Sequence, residues 1–314
     1  YNSFLSVFFQ FSAAKLTQGF RNLVANTATW LRKYCRRAMP RIRDIIAIFV
    51  AATECNVQTR NHAKCADMNE LTKFLIDEQR AKRKGGLYHK TQVLLAYNSN
   101  RIEGSKLTED QTRYIFETRT IGFKDQDAIP VDDIIETSNH FAAFDHLLRT
   151  IDNPLSCDLI KEFHRILKSS TADAQKPYFN VGNWKRLANE VGGLETCPPA
   201  NVEKEMHELL KWYEASDEAD ITTIAEMHWR FERIHPFQDG NGRVGRLIAF
   251  RECLRRDIMP VIIDNEHKLY YYRGLAEFKT TPGFLIGTLQ SAQDAYSAMV
   301  KYFNAALAEG LKMD

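Results

Sequence analysis

The stretch "RIHPFQDGNGRVGRL", residues 233–247, concentrates polar and small side chains between two apolar, helix-like segments. Apolar residues recur at helical spacing both before it, in "ITTIAEMHWRFERI", and after it, in "GRVGRLIAFRECLRR". The pattern therefore predicts a loop that ends one helix and opens the next. Its candidate functional residues are His235, Asp239, Gly240, Asn241, Gly242, Arg243 and Arg246.

The run Gly240-Asn241-Gly242 is suited to binding phosphate oxygens. Glycine lets backbone N–H groups approach a ligand closely, and asparagine tolerates a positive φ. The helix that follows adds the positive end of its dipole. Arg243 and Arg246 lie one turn apart at the start of this helix, and guanidinium groups bind phosphate in bidentate fashion. The ligand indicated is a polyphosphate.

Two further residues of the loop indicate chemistry at a phosphate. Asp239 supplies a hard oxygen donor beside the expected phosphates, where a Mg²⁺ ion needs one carboxylate and several waters. His235 carries an imidazole, which titrates near neutral pH and can accept a proton from an attacking hydroxyl. Each residue alone is compatible with a capped helix and a solvated turn. Together they favour attack by a hydroxyl on a nucleotide phosphate.

The residues 235–246 resemble the signature of the Fic family, HxFx(D/E)GNGRxxR, without a deviation. The resemblance covers about residues 67–300 and implies a mainly α Fic/Fido fold with a small β-hairpin flap beside the active site. It further implies transfer of AMP from ATP, with Mg²⁺, to a Ser, Thr or Tyr hydroxyl of a target protein. By resemblance, His235 is the general base and Asp239 holds Mg²⁺. The phosphates would be bound by Gly240, Asn241, Gly242, Arg243 and, at the γ-phosphate, Arg246.

A second motif resembles the inhibitory helix of many Fic proteins, (S/T)xxxE(G/N). Here "SNRIEG" supplies Ser99, Glu103 and Gly104, on a helix expected at about 88–104. A carboxylate paired with Arg246 would occupy the place of the γ-phosphate and neutralise the cation that should receive it. The resemblance thus implies an autoinhibited enzyme of the class with an N-terminal inhibitory helix. The alternative is that Glu103 is a solvent-facing residue near a helix C-terminus, where Gly104 is expected as the cap.

Two further assignments rest on the resemblance. The glycines and prolines of "VGNWKRLANEVGGLETCPPANV" favour a hairpin, and its expected tip, Asn189-Glu190-Val191-Gly192, would pair with the target's backbone. Tyr271 and Tyr272 resemble a tyrosine pair that lines an adenine pocket. A core-facing aromatic in a helix is the alternative for both. The segment "MPVIIDNE" allows one short strand.

The glycines of "KRKGG" predict a boundary between a basic helical N-terminal region, 1–86, and a Fic core, 87–314. Residues 1–86 hold 15 Lys/Arg against 6 Asp/Glu, and the remainder holds 27 against 34. We expect the cations of residues 1–43 to face solvent on amphipathic helices. Contact with nucleic acid, an anionic membrane surface or a transit-type leader remain open alternatives.

Composition places the chain among soluble globular proteins, with 44% hydrophobic and 26% charged residues and a net charge of +2. No apolar run is long enough to span a membrane. The six cysteines form no CxxC pair, so we expect reduced thiols in a cytoplasmic protein of bacterial origin, and no zinc at Cys55, His62 and Cys65.

Three other functions stay open at this point. The same site could remove AMP from a modified protein, with Glu103 positioning a water molecule. It could use another donor, such as UTP or a CDP-linked group. The chain could instead be a non-catalytic, nucleotide-regulated module that binds nucleic acid through its basic N-terminal region.

Overall fold

A computed structural model describes residues 70–122, 128–216 and 220–310, with side chains as far as 303. These residues contain ten α-helices and one two-stranded antiparallel sheet, so the expected mainly α fold is confirmed. The helices are α1 (Glu70–Ala81), α2 (Leu87–Ile102), α3 (Glu109–Thr118), α4 (Val131–Arg149), α5 (Cys157–Lys168), α6 (Val202–Glu214), α7 (Ile221–Ile234), α8 (Asn241–Arg255), α9 (Lys268–Glu277) and α10 (Gly283–Gly310). The strands are β1 (Glu190–Val191) and β2 (Leu194–Glu195).

Local signals set the ends of α2 and α3. Gly104 adopts φ +100° after α2, and its N–H and that of Ser105 donate to the carbonyls of Arg101 and Asn100. This is the Schellman arrangement, which needs a residue that tolerates positive φ. Thr108 then caps α3 in a capping box with Gln111. The glycine cap expected at Gly104 is therefore confirmed.

The signature helix α8 lies at the centre of the fold. Its residues from Arg243 to Leu254 are all buried, charged ones included. A helix buried on every side must be surrounded by other elements, and α8 packs against α2, α4, α5 and α7. One apolar core joins these helices with α1, α6, α9 and α10. The first turn of α8 is thereby held rigidly within the fold.

The predicted boundary at Gly86 falls inside a compact unit that runs from residue 68 to 314. The side chain of Glu78 on α1 is buried and accepts a hydrogen bond from the backbone N–H of Tyr88 on α2, at 2.8 Å. Residues 82–86 are therefore the turn between two packed helices. The predictions for residues 1–69, including the basic helices, their partners and the absence of zinc, lie outside the described residues.

The hairpin predicted near residue 190 is present, but its tip differs from the prediction. Glu190 pairs with Glu195 and Val191 with Leu194, so Gly192 and Gly193 form the two-residue turn. Both glycines have positive φ, as a tight hairpin turn that matches strand twist requires. The strand expected in "MPVIIDNE" is absent among the described residues, because that segment packs Val261 and Ile263 into the core without a neighbouring strand.

No helix among the described residues is long and apolar enough to cross a membrane. Of the six cysteines, Cys157, Cys197 and Cys253 lie in the described part, where they are free thiols.

Candidate active site

The signature loop is held by its own side chains. His235 ends α7 with φ +50°, and Gly240 precedes α8 with φ +82°. The buried side chain of Asn241 bridges both backbone groups of Phe237, accepting from its N–H at 2.8 Å and donating to its carbonyl at 2.9 Å. The ring of Phe237 is buried and stacks on His164, with centroids 3.9 Å apart. Asn241 can therefore serve a phosphate only through its backbone N–H.

The imidazole of His235 is arranged to act as a base. Its Nδ1 lies 3.3 Å from the carbonyl oxygen of Glu232, a contact in which Nδ1 donates and Nε2 keeps a free lone pair. Burial lowers the pKa of His235 to about 4, against the opposing effect of the Glu232 carbonyl. The ring is therefore neutral near pH 7 and able to accept a proton.

Asp239 presents an ionised carboxylate beside the start of α8. Burial alone would raise its pKa, but Arg243 and Lys168 outweigh burial and hold the pKa of Asp239 at about 2. Both cations contact the same oxygen, Oδ2, at 3.1 Å from Arg243 and 2.7 Å from Lys168. About half of the Asp239 side chain, 49%, remains exposed. An exposed carboxylate next to a phosphate-binding loop fits a Mg²⁺ ion that takes its other ligands from phosphate and water.

The structure brings Glu103 and Ser99 of α2 against Arg246. The guanidinium donates to Glu103 Oε1 at 2.6 Å, to Ser99 Oγ at 3.0 Å and to the Ser99 carbonyl at 2.9 Å. Arg246 is buried, which alone would lower its pKa, yet the Glu103 carboxylate raises that pKa above its ordinary value. Arg246 thus stays charged, with Glu103 as its direct counter-ion.

The Glu103 carboxylate also lies over the first turn of α8. A methyl group added to Gly242 would fall 2.2 Å from Glu103 Oε1 and 2.9 Å from an Arg246 nitrogen. The first N–H groups of a helix have no partner within the helix, and they attract anions. Glu103 therefore occupies the position expected for a phosphate anion at this helix end.

Arg243 points to a different set of carboxylates. Its guanidinium pairs with Glu136 of α4 and with Asp239, and it is as deeply buried as Arg246. The two arginines of the signature therefore have separate counter-ions, Glu136 and Asp239 for the first and Glu103 for the second.

The flap, defined as residues 189–196, is joined to the signature loop at its base. Asn189, which we expected at the tip, lies at this base, and its amide donates to the Phe237 carbonyl at 3.0 Å. The correction follows from the turn, since the two consecutive glycines supply the positive φ values. Val191 and Leu194 are 47% and 51% exposed, so the hairpin presents two apolar side chains to solvent.

Tyr271 and Tyr272 differ in how they fit the two alternatives, an adenine-lining tyrosine and a core-facing aromatic. Tyr271 is only 1% exposed, and its hydroxyl is hydrogen-bonded to His228 Nε2 at 2.8 Å, so the core-facing alternative describes it. Tyr272 is 43% exposed and donates to the carbonyl of Ile102 at the end of α2, at 3.0 Å. A role in adenine binding remains a prediction for Tyr272.

Several residues of the site carried no signal in the sequence. Lys168 ends α5, is buried and contacts Glu136, Asp173 and Asp239. Lys185 is buried under the flap. Glu232 lies beside His235 with 12% of its side chain exposed, and partial burial raises its pKa to about 8. Their roles depend on partners distant in sequence. The one hint in the sequence concerns Lys168, because helical spacing places this lysine on the apolar face of α5.

Comparison with known proteins agrees with this geometry. Residues 154–252 match the model of the Fic/DOC family. The chain is 30% identical over 189 residues to a protein adenylyltransferase Fic from Nematostella vectensis, across 57% of this chain and 41% of that protein. It is 27% identical over 202 residues to protein adenylyltransferase fic-1 from Caenorhabditis elegans, across 60% and 37%. The chain thus spans about two fifths of the length of these curated relatives.

Solved structures show the same fold. A Fic-domain signalling protein from Bacteroides thetaiotaomicron superposes with a TM-score of 0.55 at 22% identity, over 77% of this chain and 94% of that one. A fragment of Fic-1 from C. elegans gives 0.54 at 20%, over 90% and 82%. Residues 154–252 therefore resemble the Fic/DOC family, and the described residues share the fold of these solved structures. The bacterial origin expected above finds no support, since both curated relatives come from animals.

Proposed function

We propose that this chain is an autoinhibited protein adenylyltransferase. It transfers AMP from ATP, with Mg²⁺, to a hydroxyl side chain of a target protein, which can be a second copy of itself. The relatives named as protein adenylyltransferases support the activity. The observation that carries the regulation is the 2.6 Å ion pair between Glu103 and Arg246 above the first turn of α8.

The ion pair accounts for inhibition by competition for one site. ATP's γ-phosphate would need Arg246 and the open face of Gly242, and the Glu103 carboxylate covers both. The γ-phosphate and the Glu103 carboxylate are both anions, so they cannot occupy the site together without strong repulsion. Activation requires Glu103 to leave Arg246 while the rest of α2 stays packed in the core, where Leu95 and Ile102 are buried.

In the active state, different residues bind the triphosphate and the metal ion. The backbone N–H groups that open α8 and the guanidinium of Arg246 bind the triphosphate. Asp239 would hold Mg²⁺, which neutralises phosphate charge when bound. Arg243 and Lys168 keep the Asp239 carboxylate ionised and in place.

His235 handles the proton. Its neutral Nε2 accepts the proton from the target hydroxyl as that oxygen forms a bond to the α-phosphorus. The bond from the α-phosphorus to the bridging oxygen breaks, and pyrophosphate leaves. The Glu232 carbonyl at Nδ1 keeps the imidazole in the orientation that this transfer needs.

The test measures label from [α-³²P]ATP in protein, with three chains side by side. Glu103→Gly should raise incorporation by about ten- to hundredfold over wild type, in the range of typical coupling energies. Adding His235→Ala should reduce it again by at least about a hundredfold. Label from [γ-³²P]ATP serves as the control for phosphorylation. Equal, low incorporation by wild type and Glu103→Gly, against both a lysate and the chain itself, would reject the proposal.

A second candidate is removal of AMP from a modified protein. It is favoured by the placement of Glu103, which is one-third exposed and acts electrostatically on the nearby His235. A carboxylate in that place could orient a water molecule toward the phosphorus. Wild type incubated with target already labelled by Glu103→Gly should then release AMP, whereas Glu103→Gly should not. Retention of label with both chains would exclude this activity.

A further inference from the structure

Lys185 lies between the flap and the signature loop and is only 3% exposed. Its ammonium donates to Asn189 Oδ1 at 2.7 Å, to Thr196 Oγ1 at 2.6 Å and to the carbonyl of Ile234 at 3.3 Å. An ammonium has three donors, so these acceptors use all of them. Asn189 precedes β1 and Thr196 follows β2, and Lys185 therefore holds both ends of the hairpin.

The same residue holds the backbone on both sides of His235. While its ammonium contacts the carbonyl of residue 234, its own N–H donates to the carbonyl of Pro236 at 2.8 Å. Between these two carbonyls, His235 adopts φ +50°, a conformation that a non-glycine residue keeps only when its surroundings impose it. Lys185 supplies two of the contacts that impose it.

All acceptors of this buried cation are uncharged, an arrangement that is costly in free energy. A purely structural cross-link between loop and hairpin would be achieved at lower cost by neutral side chains. Burial lowers the pKa of Lys185 to about 8, against a small opposing effect of Cys197. The ammonium of Lys185 therefore keeps its charge at neutral pH but begins to lose it slightly above neutral pH.

We propose that Lys185 is a positioning residue for His235: it fixes the left-handed backbone of the base and ties it to the flap. The proposal rests on the proposed transferase function. It adds that a displacement of Asn189 and Thr196, at the two ends of the hairpin, also displaces the imidazole of His235. A change at the hairpin therefore alters kcat without altering nucleotide binding.

The test compares four chains that all carry Glu103→Gly: the parent, Lys185→Met, Lys185→Arg and Lys161→Met. Lys161 is the matched control, because its ammonium lies 4.5 Å from the neighbouring Trp184 ring and takes part in none of the described contacts with the flap. For each chain, kcat, KM for the target, the ATP dissociation constant and the melting temperature are measured. An inactive parent would count against the transferase function itself, before Lys185 is tested.

Lys185→Met should lower kcat by about tenfold or more, while the ATP dissociation constant stays within twofold of the parent. Lys161→Met should leave both values within twofold. Lys185→Arg keeps the charge but not the size, so partial recovery of kcat over Lys185→Met is expected. Unchanged kcat in Lys185→Met, or an equal fall in Lys161→Met, overturns the proposal.

The pH profile gives a second readout that a merely structural role would not change. The titratable groups facing the ammonium are His235, with a pKa of about 4, and Cys197, whose pKa burial raises above its ordinary value. Lys185 is therefore the group of these three that titrates near pH 8. The parent's kcat should fall above pH 8 as the ammonium loses a donor, and this fall should be absent from Lys185→Met. A fall that persists in Lys185→Met contradicts the proposal.

If Lys185→Met fails to fold, a variant that leaves Lys185 intact still tests the proposal. Thr196→Val removes one of the three acceptors with little change of shape. It should lower kcat by a few fold, again with an unchanged ATP dissociation constant. If Lys185→Met melts below the assay temperature, this variant decides, and full kcat in Thr196→Val refutes the inference.

Discussion

The signature loop and the flap are joined through Asn189, yet they are built in opposite ways. In the loop and the first turn of α8, the two arginines are buried and each has a named counter-charge: Arg246 has Glu103, and Arg243 has Glu136 and Asp239. The flap consists of two two-residue strands whose side chains are exposed. Under the proposed function, Glu103 takes the place of the nucleotide at the loop, whereas Val191 and Leu194 of the flap are left exposed for the target.

This difference has an energetic reason. A buried charge costs much less free energy when it is paired, so the two buried arginines of the signature favour carboxylate partners within the fold. Glu103 is the counter-ion of Arg246, and under the proposed function this pairing is what inhibits the enzyme. Exposing an apolar side chain to water costs much less free energy than leaving a buried charge unpaired. The flap therefore needs no group of the chain in the place of its proposed partner.

The largest effect is expected at Asp239, the carboxylate that would hold Mg²⁺ in the proposed function. In the Glu103→Gly background, Asp239→Asn should lower incorporation on the order of a hundredfold, since a bound metal contributes several kcal/mol to charge stabilisation. Calorimetric ATP titrations with and without Mg²⁺ supply the independent readout, and the difference between them should vanish. Asp173→Asn is the control, because Asp173 also contacts Lys168, at 3.2 Å, but lies away from the loop. Comparable losses in both variants would contradict the assignment of Asp239.

Two glycines of one loop should respond differently to alanine. A methyl group on Gly242 would occupy the anion position, so Gly242→Ala should weaken ATP binding by about tenfold or more even with Glu103→Gly. A methyl group on Gly240 meets nothing closer than 3.6 Å, and only its φ of +82° is unfavourable. Gly240→Ala should therefore cost about 1–2 kcal/mol of stability and leave ATP affinity nearly unchanged. Calorimetry and denaturant unfolding separate the two effects, and equal behaviour would argue against an anion position above Gly242.

The flap should affect the target and not the donor. Val191→Asp combined with Leu194→Asp replaces the two exposed apolar side chains, and the target KM should rise by a few fold. ATP affinity should stay constant, and stability should change by no more than about 0.5 kcal/mol, as for most surface substitutions. The control is Val131→Asp on α4, where the side chain is 69% exposed. An unchanged target KM in the flap variant would remove the hairpin from target recognition.

The smallest effect on activity, but a clear one on stability, is expected at Glu232. Its folded pKa of about 8 lies above the ordinary value of 4.5, so the folded state binds the extra proton between these values. Stability should therefore fall as pH rises from about 4.5 to 8, and the penalty persists above pH 8. Glu232→Gln imitates the protonated form and should raise the melting temperature relative to wild type at pH 8 more than at pH 5. Glu226→Gln, on the exposed side of α7, should show no such trend.

The parts that could be predicted from the sequence are those decided within a few residues. Gly104 and Thr108 act on their own helix ends, and the signature loop is held by a contact from Asn241 to Phe237, four residues away. The expected tip, residues 189–192, lies a few residues too early, because Gly192 and Gly193 form the turn and Lys185 holds Asn189 at the base. For Tyr271 the sequence left two alternatives, and the structure favours the core-facing one, since the ring is buried and the hydroxyl is hydrogen-bonded to His228.

By itself, then, the sequence determined the helix ends, the positive-φ glycines and the types of groups available at the loop, because these depend on backbone sterics and neighbouring side chains. Only the tertiary structure decided which charges meet. Lys168 reaches Asp239 across 71 residues, and Glu103 reaches Arg246 across 143. Such pairs form because packing around α8 removes water from the arginines and leaves them the carboxylates of neighbouring helices as counter-ions.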